Sequence, residues 1–345
     1  MFDTDTLQEY YEQIRDVLVE EVSATDISPL IAERIKRLID YTLNGGKLNR
    51  GVAVLSTLYH VKGGVVSEEE LRTAAVLGWC IEWIQGSFLV ADDMMDSSVT
   101  RRGHPCWYKL EHVGGKAVND AMLLMTQVHR LIKKHVTDKE LYYDVETVIT
   151  DTIYQTELGQ MLDMETQPPK GQPDLSQYTV ERYEQIVKYK TAFYSFYAPV
   201  SLGLLAGGIH KKETHERAKV ICLEMGKYFQ IQDDFLDCYG TPEQIGKIGT
   251  DIVDGKCSWL MVTALKIASD DQKKTLHENY AKNEEHCVVK VKQVYAELEL
   301  EKKFREYEEE AFQRINQLID SQSMEGEMPK EIFSDFLAKI FKRQK

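Results

Sequence analysis

Two short stretches of the sequence gather carboxylates directly after an apolar run. These carboxylates are Asp92, Asp93, Asp96, Asp233, Asp234 and Asp237. Residues four positions apart share one face of a helix, so the first and last Asp of each stretch project together. Clustered carboxylates repel, and a hard cation with oxygen ligands, above all Mg²⁺, relieves that repulsion. One stretch alone also suits a solvent-exposed acidic helix end, but two favour a pair of helices that hold divalent cations.

Basic side chains accompany the carboxylates, as a phosphate-bearing ligand of the metals would require. They are Lys47, Arg50, Arg101, Arg102, Lys190, Lys247 and Lys256. Arg makes bidentate contacts with phosphate, and Lys supplies a point charge. Single basic residues are usually solvated surface, but Lys190 lies among apolar residues and must snorkel or face a polar cavity. Metals, cations and apolar helices together indicate ionisation of an allylic diphosphate, whose departing pyrophosphate they would stabilise.

Helices are the elements that must position these groups, because the chain has only 8 prolines and no convincing strand periodicity. The expected helices cover residues 5–24, 30–43, 51–61, 68–97, 115–136, 139–164, 179–207, 213–239 and about 258 to the C-terminus. The 68–97 helix is apolar on most faces and belongs at the centre of a bundle. Pro199 is expected to kink its helix. The sequence therefore predicts one all-α domain over residues 1–345, a bundle of about ten or more helices around a central cavity.

Composition excludes several other classes of function. The net charge of −14 argues against non-specific binding to nucleic acid or to an anionic membrane surface. The six cysteines are scattered and form no C-x-x-C, which favours a reducing compartment without a disulfide framework. The N-terminus lacks the apolar segment of a signal peptide, and we expect no apolar run long enough to span a bilayer. We therefore expect a cytoplasmic protein.

The order of the motifs resembles that of the farnesyl diphosphate synthases, in the trans-isoprenyl diphosphate synthase family. The matching stretches are residues 45–51, 92–102, 159–163, 188–192, 229–237 and 246–251 and the basic C-terminus. The resemblance covers nearly the whole chain and implies the isoprenoid synthase fold and a homodimer. It also implies a Mg²⁺-dependent, head-to-tail 1'-4 condensation of isopentenyl diphosphate with dimethylallyl or geranyl diphosphate. Pyrophosphate itself would take the final proton.

The resemblance further implies roles for single residues. Three Mg²⁺ ions on the allylic diphosphate would be held by Asp92, Asp93, Asp96 and Asp233, and directly or through waters by Asp163, Asp234 and Asp237. The allylic diphosphate would be contacted by Arg101, Lys190 and Lys256, and Lys247 would also take part in binding substrate. The diphosphate of isopentenyl diphosphate would be bound by Lys47, Arg50 and Arg102, with Gly46 and Gln85 nearby. The forming carbocation would be flanked by Lys190, Thr191 and Gln230, and the basic C-terminal tail would close over the site.

The chain departs from the family pattern just before the first Asp stretch. Farnesyl synthases of this type usually carry two aromatic residues there, and this chain has Ser87 and Phe88. Phe88 lies one helical turn before Asp92 and therefore beneath the expected metals. The missing ring at Ser87 would deepen the tunnel and lengthen the product to geranylgeranyl diphosphate. Alternatively a bulky neighbour fills the gap, since cores repack; the candidates are Trp79, Trp83, Met125 and Tyr194.

Three other classes of protein compete with this interpretation. A terpene synthase also ionises a prenyl diphosphate on Asp helices but needs no isopentenyl site, so Lys47, Arg50 and Arg102 argue against it. A non-catalytic partner subunit should have lost motif carboxylates, and this chain keeps them all. A di-iron bundle needs Glu-x-x-His pairs, and none of the nine His has Glu three positions before it.

Overall fold

A computed structural model describes residues 2–168, 174–241 and 249–341, and helices dominate all three ranges. The helices up to residue 166 are α1 (Thr4–Gln8), α2 (Tyr11–Ser23), α3 (Pro29–Leu43), α4 (Asn49–Val61), α5 (Glu68–Met95), α6 (Ala117–His135) and α7 (Lys139–Thr166). The later ones are α8 (Val180–Ile186), α9 (Ala198–Ala206), α10 (Lys212–Tyr239), α11 (Asp251–Asp254), α12 (Trp259–Ile267), α13 (Asp270–Asn279), α14 (Glu285–Glu297), α15 (Leu300–Gln322) and α16 (Glu331–Ile340). The prediction of an all-α fold is confirmed.

Short irregular elements join some of these helices. A π-helix, Val187–Tyr197, connects α8 to α9, and single turns of 3-10 helix occur at Trp107–Lys109, Gly114–Lys116 and Leu175–Gln177. The one sheet in the described residues is a hairpin of two-residue strands, β1 (Thr100–Arg101) and β2 (His104–Pro105). Strands this short leave no periodicity in the sequence, so the hairpin was not predicted.

Residue contacts divide the chain into two compact units. Unit 1 consists of Met1–Ile153, Ser195–Lys219 and Ser323–Ile332, and unit 2 of Tyr154–Tyr194, Val220–Gln322 and Phe333–Lys345. Each unit has its own buried apolar core. Trp79 and Trp83 are fully buried in the core of unit 1, and stacked rings of Phe235 and Phe304 lie in that of unit 2. The single domain and the central cavity stay predictions.

Helix α5 runs through the core of unit 1. A capping box starts it, because Ser67 Oγ accepts from the Glu70 N–H while the Glu70 carboxylate accepts from the Ser67 N–H. The helix packs closely on α4, since a Cβ on Gly78 would lie 2.9 Å from the Gly51 carbonyl oxygen. Glycine at position 78 therefore allows the first turn of α4 to lie close to α5.

Helix α5 is also long and apolar enough to qualify as a membrane span by length and composition. The expectation that no apolar run reaches that length was therefore too strict. However, 78% of its most apolar stretch is buried inside the protein. The core helix of a folded protein meets the same criteria, so this helix is weak evidence for a membrane span.

Two predicted helices are interrupted in the structure. The helix expected over 5–24 is split, because α1 ends at Gln8 and α2 begins at Tyr11. The helix expected over 179–207 consists of α8, the π-helix and α9. Pro199 lies in the first turn of α9, directly after the π-helix, and the kink expected there stays a prediction.

Candidate active site

The first Asp stretch lies at the C-terminal end of α5. Asp92 and Asp93 belong to its last turn, and Asp96 is the C-cap residue, whose N–H donates to the Asp92 carbonyl. Asp92 and Asp96 are half-buried, and Asp93 is buried. The C-terminal end of a helix carries a partial negative charge, which disfavours carboxylates there. Three carboxylates at this end therefore require nearby cations.

Arg101, on β1, supplies one such cation. Its Nη2 lies 2.5 Å and its Nε 3.0 Å from the same oxygen of Asp93, and Nη2 lies 3.7 Å from Asp92. Burial works against the arginine cation, but the hydrogen bonds and the charge of Asp93 outweigh it and raise the pKa of Arg101. The middle carboxylate of the first stretch is thus paired with a cation from this chain.

The next residue in the hairpin, Arg102, directs its side chain to the C-terminal end of α3. Arg102 and Gly103 have φ angles of 53° and 78°, the left-handed backbone that a tight hairpin turn of this kind requires. The Nη1 of Arg102 donates to the carbonyls of Leu43 and Asn44, at 3.3 and 2.9 Å, where α3 ends. A cation is favourable at the negative end of a helix.

The glycine-rich segment after α3 accommodates this arginine. A Cβ on Gly46 would lie only 2.8 Å from Arg102 Nη2, so a larger residue would displace the guanidinium. Arg50, in the first turn of α4, donates from Nε and Nη2 to Ser195 Oγ at 3.1 and 2.7 Å. Lys47 is exposed, and Gln85 on α5 is half-buried. Gly46, Arg102 and Arg50 therefore belong to unit 1 together with the first Asp stretch.

The second group of predicted residues lies in unit 2. Asp163, on α7, is buried and receives two lysines, with Lys190 Nζ at 2.7 Å and Lys256 Nζ at 3.3 Å from its Oδ2. A Cβ on Gly159 would lie 2.1 Å from the backbone nitrogen of Lys190. Glycine at 159 therefore lets α7 touch the π-helix, which brings Lys190 to Asp163. Single-turn departures towards π-helix are frequent at functional sites.

The second Asp stretch, near the end of α10, surrounds its middle carboxylate with neutral donors. Asp234 is buried and accepts from the Tyr183 hydroxyl at 2.7 Å, the Trp259 N–H at 2.7 Å and Gln230 Nε2 at 2.9 Å. Burial raises the pKa of Asp234 to about 7, against the lowering effect of these hydrogen bonds. Thr191 Oγ1 donates to Gln230 Oε1 at 2.8 Å, so a chain of hydrogen bonds links it to Asp234.

The other two carboxylates of the second stretch differ from the middle one. Asp233 is half-buried, and Asp237 is buried and accepts from the Asp251 N–H at 3.0 Å. A Cβ on Gly249 would lie 1.9 Å from the Asp237 carbonyl oxygen, so this approach requires glycine. Lys247 lies outside the described residues. Residues 342–345 of the basic C-terminal tail, which begins at Phe341, also lie outside them.

The carboxylates suit Mg²⁺ by their chemistry. In the described part of the chain, no three His, Cys, Asp or Glu side chains converge as a ready-made metal cage. Mg²⁺ does not need one, because it takes one or two carboxylates and fills its remaining positions with waters and substrate phosphates. The half-buried Asp92, Asp96 and Asp233 would serve as such ligands. When bound, the metal would neutralise charge that develops on a leaving diphosphate.

Ser87 is buried in α5, and its Oγ donates to the Ala121 carbonyl on α6 at 2.8 Å. This hydrogen bond satisfies a hydroxyl that would be costly to bury alone. Of the proposed gap-filling residues, Trp79 and Trp83 have their indole N–H groups bonded to Leu7 and Gln127. Phe88 is half-buried beside the core of unit 1.

Several contacting residues were missed by the analysis of the sequence. Ser195, Tyr183 and Trp259 carry no local sequence feature that indicates a contact with a site residue. Glu82 does carry one, since it is a charged residue inside the apolar α5, the kind of feature that singled out Lys190. The separate roles predicted for the site residues stay predictions.

Comparison with known proteins identifies the family. The polyprenyl synthetase family model matches residues 32–298. The chain therefore belongs to the polyprenyl synthetase family. The chain is 47% identical to a farnesyl pyrophosphate synthase of Gallus gallus over 96% of this chain and 90% of that protein. It is also 47% identical to farnesyl pyrophosphate synthase 2 of Arabidopsis thaliana, over 90% of each.

Solved structures agree with these relatives. The fold matches T. brucei farnesyl diphosphate synthase complexed with risedronate with a TM-score of 0.92 and 33% sequence identity, over 99% of both chains. A second structure of that protein, complexed with minodronate, gives a TM-score of 0.91 over the same shares of the chains. The predicted isoprenoid synthase fold is confirmed.

Proposed function

We propose that this chain is a farnesyl diphosphate synthase, which condenses isopentenyl diphosphate head-to-tail with dimethylallyl and then geranyl diphosphate. The observation that carries this conclusion is the 47% identity to farnesyl pyrophosphate synthases over 90% or more of the chain. The intact carboxylates and cations of both units support it. The chain is accordingly a prenyltransferase of isoprenoid biosynthesis.

The allylic diphosphate would be bound through three Mg²⁺ ions and basic side chains. Arg101 beside Asp93, and Lys190 and Lys256 beside Asp163, place cations next to the carboxylates that would hold the metals. As the C–O bond of the allylic diphosphate breaks, negative charge develops on the departing pyrophosphate. Fixed cations favour that step, because they stabilise the charge where it appears.

The residues that would face the carbocation form an ordered group in unit 2. Thr191 donates to Gln230 Oε1, and Gln230 Nε2 donates to Asp234, so both polar atoms of the glutamine amide make a hydrogen bond. This orientation supports a role of Thr191 and Gln230 in directing polar oxygen atoms at positive charge. C1 of the allyl cation would then bond to C4 of isopentenyl diphosphate, and pyrophosphate would remove the proton from C2.

The isopentenyl diphosphate would bind to the cations of unit 1 that do not serve the Asp stretch. Arg102 and Arg50 are held by contacts to the end of α3 and to Ser195, and Lys47 is exposed nearby in sequence. Gly46 and Gln85 would complete this pocket. An ionisation-type terpene synthase has no use for a second diphosphate site, so these arginines favour the synthase.

The length of the product is a second question, and the two possible products differ in whether Ser87 leaves room for further chain growth. The side chain of Ser87 is fixed towards α6 by its bond to the Ala121 carbonyl. A small residue at this position would leave room for a chain longer than farnesyl, and geranylgeranyl diphosphate is the alternative product. Phe88 would then be the aromatic residue that limits chain growth.

A homodimer and a cytoplasmic location complete the proposal. Helix α7 exposes a stripe of apolar side chains at helical spacing, with Tyr154, Leu158 and Met161 being 61, 40 and 61% exposed. Exposed apolar patches of this kind mark contact surfaces, and a second copy of the chain is the proposed occupant. Tyr154→Glu should give monomers in sedimentation velocity, and a monomeric wild-type protein would contradict the dimer.

The six cysteines are free and buried, which suits the reducing compartment of the proposed cytoplasmic location.

The central experiment measures product formation. Purified protein is incubated with Mg²⁺, dimethylallyl diphosphate and an excess of labelled isopentenyl diphosphate, and the dephosphorylated products are sized by mass spectrometry. Farnesol is the expected product, and no incorporation of label would overturn the proposal. Geranylgeraniol would instead identify the longer-chain alternative.

Ser87→Phe tests the reason for the product length. If the wild type makes geranylgeraniol, the added ring should shift the product to farnesol. Thr126→Phe is the control, because it adds the same ring on the exposed face of α6 and should leave the product unchanged. An unchanged product from Ser87→Phe would mean that other residues set the length.

A further inference from the structure

Glu82 is a buried carboxylate for which the proposed reaction has no role so far. It is 3% exposed inside the apolar helix α5. Its Oε1 accepts a hydrogen bond of 2.9 Å from the backbone N–H of Gly51, in the first turn of α4. A charge this deeply buried is costly unless other charges or hydrogen bonds compensate it. The groups that compensate it therefore indicate what it does.

Two arginines of the proposed isopentenyl site act on this carboxylate. Burial raises the pKa of Glu82, and the charges of Arg50 and Arg102 oppose that rise. Burial also lowers the pKa of Arg102; Glu82 opposes that change, whereas Arg50 reinforces it. The two guanidinium groups thus repel each other, and the charge of Glu82 attracts both of them; Asp93 also attracts Arg102, but less strongly than Glu82 does.

Hydrogen bonds to neutral oxygen atoms also orient the two arginines. Arg102 Nη1 donates to the carbonyls of Thr42 at 3.1 Å and Asn44 at 2.9 Å. Arg50 donates twice to the hydroxyl of Ser195. These acceptors are neutral oxygen atoms, so they orient the guanidinium groups without adding a negative charge.

We propose that Glu82 is a positioning residue of the isopentenyl diphosphate site, whose charge holds Arg50 and Arg102 close together before the diphosphate binds. This inference rests on the proposed function. A pair of cations that is already in place loses less freedom on binding, which favours affinity. A residue that only tied α4 to α5 through Gly51 would need an oxygen atom but no charge.

Glu82→Gln separates these two tasks. Glutamine keeps the shape of the side chain and an oxygen that accepts from the Gly51 N–H, but it removes the negative charge. We expect KM for isopentenyl diphosphate to rise by about tenfold, equivalent to about 1.4 kcal/mol. KM for the allylic substrate and kcat should both stay within about threefold of wild type, since the hydrogen bond to Glu82 comes from the backbone of α4 and not from the Asp stretches.

Two further variants complete the test. Glu308 is the matched control, because it is a second buried glutamate, 2% exposed, that accepts from the Tyr228 hydroxyl in unit 2. Glu308→Gln should leave both KM values unchanged. Glu82→Asp keeps the charge with a shorter side chain, so it should raise KM for isopentenyl diphosphate by less than about threefold. It also serves as the test if Glu82→Gln does not fold.

The outcomes distinguish this inference from the proposed function. An unchanged or lower KM for isopentenyl diphosphate in Glu82→Gln overturns the inference, and so do equal rises for both substrates in either variant. Calorimetric binding of isopentenyl diphosphate alone gives a readout without turnover. If the wild type binds it but forms no product, the proposed function fails while a weaker affinity in Glu82→Gln still supports the role of Glu82. If the wild type does not bind it, both fail.

Discussion

The two Asp stretches share the same Asp-Asp-x-x-Asp spacing, but their middle carboxylates have opposite kinds of partner. In unit 1, Asp93 is paired with the guanidinium of Arg101. In unit 2, Asp234 is surrounded by three neutral donors, from Tyr183, Gln230 and Trp259. A neighbouring cation favours the ionised form of a carboxylate. Complete burial favours the protonated form, and neutral donors oppose this effect only in part. The same motif therefore gives one carboxylate that is paired with an arginine and one whose pKa burial raises to about 7.

The largest expected effect concerns the feature that the two stretches share. Asp92→Asn and Asp233→Asn should each lower kcat by about a thousandfold, because each removes the charge of a half-buried carboxylate that would hold Mg²⁺ on the leaving diphosphate. Steady-state kinetics at saturating Mg²⁺ would measure this. Asp138→Asn is the matched control, since Asp138 accepts from the Leu141 N–H at the start of α7 and Asn caps a helix about as well. Activity within tenfold of wild type in either site variant would show that its stretch does not hold a catalytic metal.

Removal of the cation in unit 1 should give the next largest effect. Arg101→Gln leaves the buried Asp93 without its counter-charge and should lower the free energy of unfolding by about 3 kcal/mol. Urea denaturation without Mg²⁺ would measure it. Arg130→Gln breaks an arginine–carboxylate pair with Glu21 that is exposed on the surface and should cost less than about 1 kcal/mol. Equal losses in the two variants would mean that the burial of Asp93 adds nothing.

The titrating carboxylate of unit 2 predicts a pH dependence. The pKa of Asp234 is raised from 3.8 to about 7, so between these values the folded protein binds more protons than the unfolded chain. The contribution of Asp234 to stability is therefore present at low pH and is lost as the pH rises through this window, with a slope of at most about 1.4 kcal/mol per pH unit. Unfolding of wild type and Asp234→Asn in EDTA, from pH 4 to 8, would measure it. Parallel curves for the two proteins would contradict the raised pKa.

The smallest expected effect comes from a single neutral donor. Tyr183→Phe removes one hydrogen bond to Asp234 and should lower the free energy of unfolding by about 1 kcal/mol. Because that bond lowers the pKa of Asp234, its loss should also move the pH-dependent window upward. Tyr143→Phe, at a hydroxyl on the exposed surface of α7, should change neither quantity. A loss as large as that of Arg101→Gln would contradict the distinction between charged and neutral partners.

The sequence alone was sufficient to predict most of the helices and to identify the acidic and basic residues of the candidate site. The long apolar pattern of α5 and the i, i+4 spacing of Asp92 and Asp96 are local properties, and both appear in the structure. The hairpin at Arg101 and the π-helix around Lys190 were not predictable. The two-residue strands of the hairpin are too short to show a periodicity, and the π-helix lies against Gly159, which is distant in the chain.

Tertiary structure alone decided which partner neutralises each carboxylate. The two Asp stretches read alike, and each has basic residues after it, so spacing could not assign an arginine to Asp93 and a tyrosine to Asp234. Lys256 follows the second stretch but pairs with Asp163 on another helix. The reason is physical: motif residues are set by helix periodicity, which is local, whereas charge and pKa depend on burial and on neighbours that only packing brings within hydrogen-bond distance.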